Sequence, residues 1–156
     1  RPEQALEFSR ELAAVWPVFG LGADLLVGFP GETAGQFGNT LALARALPLS
    51  YAHVFPYSPR PGTPAADLDG QVPQEEKKAR AASLRAVTSA RKRAFLKVLA
   101  GGGPLSVLVE NAEGEGVSEH YAPCRVEGVS AVRALVRARP GGLEGGRVLA
   151  RLEPEA

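Results

Sequence analysis

One short stretch, DLLVGFPGET at residues 24–33, limits the possible folds of this chain more than any other. Residues 24–29 are mostly apolar and do not alternate with polar ones, which is typical of a strand buried on both faces. Pro30-Gly31 ends this run abruptly, and Thr33 with Gln36 three positions later resembles the capping box of a helix. The stretch therefore predicts a buried strand followed at once by a helix.

A second strand is predicted at residues 51–57, after Pro48 stops the helix. Strand, helix and strand within about 35 residues form a right-handed βαβ unit with a parallel strand pair. Such a pair needs more strands beside it and cover on both faces. It could be an unusually small α/β domain or part of a larger α/β barrel or open sheet. The chain has no methionine, even at position 1, so we expect it to be the end of something longer.

The rest of the chain predicts two helices, a long loop and a second domain. An amphipathic helix is expected over residues 3–15, a Pro- and Gly-rich ordered loop over 58–74, and a long helix over 75–99. Gly101-Gly102-Gly103-Pro104 marks a boundary between domains at 1–100 and 101–156. Short segments rich in branched residues then recur between glycine-rich turns, and they predict a small antiparallel β-barrel of four or five strands. These segments are 105–110, 122–127, 132–137 and 147–152.

The composition excludes several classes of protein. Cys124 is the only cysteine among 156 residues, so the chain has no internal disulfide and cannot by itself hold an iron–sulfur cluster or a structural zinc. No run of eighteen apolar residues and no signal peptide is present, so we expect no membrane partner. The single cysteine fits a reducing compartment, which favours the cytoplasm.

Both predicted strands end in sequences suited to ligand binding. In parallel α/β folds, ligands bind at the carboxyl ends of the strands. After the first strand, Gly28 and Gly31 would allow close approach of the backbone, while Glu32 could bind a ligand or merely cap the helix. After the second strand, prolines around Arg60 could hold its guanidinium toward a phosphate, unless it is simply a solvated side chain on a rigid loop.

The long helix carries eight basic residues and no acidic one between positions 77 and 97. Such a run usually marks a solvated face, but solvated faces normally mix both signs. A one-sided positive surface suits a polyanion such as nucleic acid. The candidate RNA-binding residues are Arg60, Lys77, Lys78, Arg85, Arg91, Lys92 and Arg93.

Two motifs and the terminal barrel together resemble a known family. DLLVGFPGET, the later YAHVFPYSPRPGTPAADLDGQVPQEEKKAR and the β-module are similar to the C-terminal part of radical S-adenosylmethionine (SAM) tRNA methylthiotransferases. The HVFPYSPRPGTPA wording is most similar to the subgroup that modifies threonylcarbamoyladenosine beside the anticodon. The resemblance is specific over residues 20–100 and looser over 104–156, which would be the TRAM domain, an OB-like barrel that binds RNA.

The resemblance implies a fold and an activity for a longer parent protein. Such enzymes hold one 4Fe-4S cluster in an N-terminal domain and another in a radical-SAM (β/α) barrel, bound by a CxxxCxxC motif that this chain lacks. The chain would contain the last strands and helices of that barrel and the TRAM domain. The parent would replace a C–H of the modified adenosine by a methylthio group. This chain alone would bind tRNA without turnover.

The resemblance also implies which residues line the cofactor site, and it leaves rivals open. SAM would contact Val27, Gly28, Phe29, Pro30, Gly31, Glu32, Phe55 and Tyr57. The rivals are another radical-SAM enzyme, such as a porphyrin-pathway relative, and a self-sufficient RNA-binding module. Barrel strands without neighbours would leave apolar edges open, so we also expect self-association.

Overall fold

A computed structural model describes residues 1–129 and 131–154, which form two compact units. The first unit comprises Arg1–Val15 and Leu21–Arg91, and the second comprises Trp16–Gly20 and the chain from Lys92 onward. The two units therefore divide within the long helix, whereas the sequence predicted a boundary after residue 100.

The first unit is the predicted βαβ arrangement with a helix on either side of it in sequence. Strands β1 and β2 pair in parallel, with Leu25 opposite Val54. The capping box is present, because the Thr33 hydroxyl accepts from the Gln36 N–H and the Gln36 side chain accepts from the Thr33 N–H. The elements are α1 (Pro2–Val15), β1 (Gly22–Val27), α2 (Ala34–Ala46), β2 (Tyr51–Pro56), a 3-10 turn (Pro64–Ala66) and the start of α3 (Gln74–Ala100).

Only one face of this two-stranded sheet is covered. Val27 and Val54 lie in a core with Leu49 and Leu84. On the opposite face, Leu26 and Phe55 are each 49% exposed. The prediction that the first strand is buried on both faces is therefore wrong, since the helices cover one side and no other described residue covers the second.

The second unit is a closed five-stranded barrel. Its strand order is β3-β4-β5-β7-β6, with β6 pairing back to β3. Four pairs are antiparallel, as predicted, and the β5–β7 pair is parallel. This order fits a small OB-like barrel of the TRAM kind. The strands are β3 (Leu105–Val109), β4 (Glu115–Ser118), β5 (Pro123–Glu127), β6 (Ala134–Glu144) and β7 (Arg147–Leu152).

Small and branched side chains fill the barrel. Val107, Val109, Ala138 and Val148 are fully enclosed. Strand β6 runs well past the predicted end at residue 137, because an irregularity between Pro140 and Gly142 keeps it paired with β7. The short strand β4 was not among the segments that the sequence predicted.

Candidate functional site

The carboxyl ends of β1 and β2 meet at one edge of the first unit, as predicted. The Tyr57 N–H donates to the Val27 carbonyl at 2.8 Å, and the Phe29 and Tyr57 rings touch edge to face with centroids 5.2 Å apart. Gly28 and Gly31 have φ of 72° and 80°, which a residue with a Cβ rarely adopts. The chain can therefore turn away sharply after β1 and leave this edge open.

The Glu32 carboxylate is engaged within the chain. Its Oε2 accepts from the Gly28 N–H at 2.7 Å and from the Arg80 guanidinium, and the side chain is only 13% exposed. Arg80 also donates to the Glu32 carbonyl at 2.9 Å and pairs with Glu76. Since Thr33 caps α2, the alternative role of Glu32 as helix cap is wrong. The carboxylate instead fixes the turn that follows β1.

Arg80 is the centre of this network, and the sequence did not single it out. Burial alone would lower its pKa, but hydrogen bonds and attraction from Glu32 and Glu76 outweigh that effect and raise the pKa above its ordinary value. The guanidinium therefore stays charged, and it lies 5.5 Å from the centre of the Phe37 ring. The one available signal was the spacing of Glu76 and Arg80, four residues apart on a helix.

Lys77 lies inside the first unit and not on a surface. It is 5% exposed, and its Nζ donates to the Tyr57 carbonyl at 3.1 Å. A Cβ on Gly28 would come within 2.3 Å of the Lys77 Cγ, so the lysine packs directly against the turn after β1. The prediction that Lys77 belongs to an exposed RNA-binding face is therefore wrong, because the side chain is buried and its amine donates a hydrogen bond to the Tyr57 carbonyl just after β2.

The predicted cofactor residues separate into two groups. The Val27 side chain is fully buried in the core, so the prediction that it contacts a ligand is wrong for the side chain. Gly28 and Pro30 are also buried, while Phe29, Gly31 and Phe55 are exposed. The Tyr57 hydroxyl is enclosed and has no hydrogen-bond partner among the described residues.

The remaining basic residues are less uniform than the sequence suggested. In the first unit, Lys78 pairs with Glu75 at 2.8 Å, and Arg85 donates to the Val54 carbonyl at 3.0 Å. Arg60 is exposed in the loop and Arg91 is half-buried. In the second unit, Lys92 and Arg93 are both exposed on α3.

No family model matches the chain, but curated relatives match it over most of its length. A threonylcarbamoyladenosine tRNA methylthiotransferase of Rickettsia prowazekii is 38% identical over 141 residues, which are 90% of this chain and 33% of that protein. The chain is a homologue of the tRNA methylthiotransferases. Two tRNA-2-methylthio-N(6)-dimethylallyladenosine synthases are also similar. That of Anaplasma marginale is 41% identical over 66% of this chain and 24% of its own length, and that of Chromobacterium violaceum is 43% identical over 65% and 23%.

The chain spans a third or less of the length of these methylthiotransferases. The part of it that the structure describes contains no group of three or more His, Cys, Asp or Glu side chains that could hold a metal ion. Cys124 lies in the barrel core, where burial raises its pKa to about 11. Among the described residues, no helix has the length and apolar content needed to cross a membrane.

Proposed function

We propose that this chain is part of a radical-SAM tRNA methylthiotransferase, and that it supplies one rim of the cofactor site and an RNA-binding barrel. The observation that carries the proposal is the 38% identity to such an enzyme over 90% of the chain. The relatives' names favour tRNA modification over the porphyrin-pathway alternative. An enzyme that acts on tRNA would work in the cytoplasm.

The open edge beyond β1 and β2 suits SAM better than a metal. Phe29 and Phe55 offer exposed aromatic surface, and Gly31 exposes backbone. Gly28, Pro30 and Glu32 would shape this rim without contacting the ligand through their side chains. Bound SAM supplies the radical chemistry, and both 4Fe-4S clusters would be held by residues outside this chain. The chain's own residues would orient the cofactor and exclude water.

We propose threonylcarbamoyladenosine beside the anticodon as the substrate nucleoside. The support is the extent of similarity, which reaches 90% of the chain for the threonylcarbamoyladenosine enzyme and 66% and 65% for the two dimethylallyladenosine synthases named above. RNA would be held by cations that remain exposed or partly exposed. These are Arg60, Lys78, Arg85, Arg91, Lys92 and Arg93.

Filter binding of the chain to unmodified tRNA, at several salt concentrations, tests this function. We expect the logarithm of the affinity to fall linearly with the logarithm of the salt concentration, because bound phosphates release counterions. The chain alone should give no methylthiolated product. Binding that is absent, or that does not change with salt, would overturn the proposal.

A further inference from the structure

The turn between β4 and β5 holds a tyrosine in an unfavourable backbone conformation. Tyr121 has φ of 57°, and Arg133 is the only other non-glycine residue in the described ranges with a positive φ. The left-handed region is unfavourable for a bulky residue, so such a conformation persists only where surrounding contacts enforce it. Residues of this kind cluster at functional sites.

Ser118 and Ser106 enforce the conformation of this turn. The Ser118 carbonyl accepts from the Tyr121 N–H at 2.9 Å, and its hydroxyl accepts from the His120 and Ala122 N–H groups at 3.3 Å each. The Glu119 carboxylate accepts from the Ser106 N–H at 3.0 Å, and the Glu119 N–H donates back to the Ser106 carbonyl. These hydrogen bonds hold the backbone of the turn in this conformation.

The Tyr121 ring has no visible role in packing. It is 79% exposed, more than any other large hydrophobic side chain in the described part of the chain. The core of the second unit is complete without it. The ring therefore lies in solvent on a turn with a positive φ, where it adds nothing to the buried core of the barrel.

A cationic stretch of α3 lies beside this turn within the second unit. The ring of His120, next to Tyr121, packs edge-on against Phe95 at 6.4 Å between centroids. Lys92, three residues before Phe95, shares that face of the helix and is exposed. An exposed aromatic ring and an exposed ammonium group therefore lie on neighbouring elements.

We propose that Tyr121 is a stacking platform for a base of single-stranded RNA, and that Lys92 binds a nearby phosphate. This inference rests on the proposed function, which supplies RNA as the class of ligand. Stacking tolerates any base, because every base has a π-face, and a rigid platform loses little entropy on binding. Aromatic stacking next to a basic groove is a general mode of single-strand binding.

Substitution of Tyr121 by glycine separates stacking from folding. Glycine accepts a positive φ, so Tyr121→Gly keeps the turn while it removes the ring. We expect the affinity for a fluorescein-labelled, adenine-rich RNA 12-mer, measured by anisotropy, to fall about 5- to 100-fold with an unchanged salt slope. The same variant should melt at a higher temperature than the wild type, since the strain is relieved. Tyr121→Phe should bind within about twofold of the wild type, because the ring remains.

Lys92→Gln tests the proposed phosphate contact, because it removes the positive charge of this side chain. We expect it to reduce the salt slope by about 0.7, the value for one phosphate contact on a single strand.

If Tyr121→Gly binds as well as the wild type while the wild type shows salt-dependent binding, stacking is overturned and the proposed function stands. Equal losses for Tyr121→Phe and Tyr121→Gly would also overturn stacking, because the hydroxyl would then be responsible. If the wild type binds neither this RNA nor tRNA, both proposals fall.

Discussion

The small β-sheets of the two units differ in whether their edges and faces are covered. In the barrel, each of the five strands pairs on both sides, so the sheet has no free edge. In the first unit, β1 and β2 pair only with each other among the described residues, and one face of the sheet stays open. The barrel is complete by closure, whereas the α/β unit presents unpaired edges and apolar surface.

The buried contacts differ in the same way. The barrel core is built from apolar side chains, such as Val107 and Val148. The open edge of the α/β unit is held by buried charges instead, with Arg80 between Glu32 and Glu76 and with Lys77 on the Tyr57 carbonyl. Beneath the strand ends, these ion pairs and hydrogen bonds fix the backbone of the turn after β1.

Removal of the Arg80 cation should damage the α/β unit alone. Arg80→Met leaves the Glu32 carboxylate buried without its partner, which we expect to cost about 3–5 kcal/mol. Segment-resolved hydrogen exchange, together with urea unfolding followed by circular dichroism, would show faster exchange in β1 and α2 and unchanged protection in the barrel.

The matched control is Lys78→Met on the same helix. Lys78 pairs with Glu75 in solvent, with the two side chains 62% and 85% exposed, so its loss should change stability by less than about 1 kcal/mol. Equal effects of the two substitutions would show that the buried network does not stabilise the rim.

This contrast between two neighbouring cations also marks the limit of sequence-based prediction. Local signals located the elements, because the capping box at Thr33 and Gln36 and the Pro30-Gly31 turn depend only on nearby residues. Whether a lysine of α3 points inward depends on how the helix docks on β1 and β2, which lie about 20 to 50 residues away in sequence. No local pattern separates Lys77 from Lys78.

The barrel shows the same limit. A sequence containing Pro140 and Gly142 predicts an interruption, and β6 continues through it only because β7 pairs across the irregularity. The edge formed by the carboxyl ends of β1 and β2 could therefore be located from the sequence, since strand ends are local features. The burial of Val27 and Lys77 within it could not.

Adding a single methyl group to the barrel should destabilise the second unit, whereas Arg80→Met should destabilise the first. A Cβ on Gly116 would lie 2.1 Å from the Leu108 carbonyl oxygen, so Gly116→Ala must push β3 and β4 apart. We expect a loss of about 1–3 kcal/mol, as for other overpacked sites. Hydrogen exchange should accelerate in β3 and β4 and not in β1. Gly103→Ala is the control, since a Cβ there meets nothing within 4 Å, and a comparable loss from it would contradict the packing argument.

The open face of the α/β sheet should drive association between copies. Leu26 is 49% exposed on that face, and burying the exposed half of a leucine is worth about 1 kcal/mol. Leu26→Thr, which keeps a strand-forming residue, should therefore weaken self-association about fivefold in sedimentation velocity. Leu135→Thr is the control, because Leu135 is 73% exposed on the closed barrel. Association that responds only to Leu135→Thr would place the contact on the barrel.

The smallest expected effect tests how tightly the barrel closes around Cys124. Burial raises the pKa of this thiol from 9.0 to about 11, so the unfolded chain loses its proton first as the pH rises. A raised pKa in the folded state means that stability is fully present below pH 9 and declines as the pH approaches 11. Between pH 8 and pH 9.5 the decline should be less than about 1 kcal/mol, because one proton is linked to unfolding.

Urea unfolding of Cys124→Ala should show a lower stability with a flatter dependence on pH over this interval. Identical slopes for the two proteins would mean that the thiol reaches solvent in the native barrel, and the barrel would then share the openness of the α/β sheet.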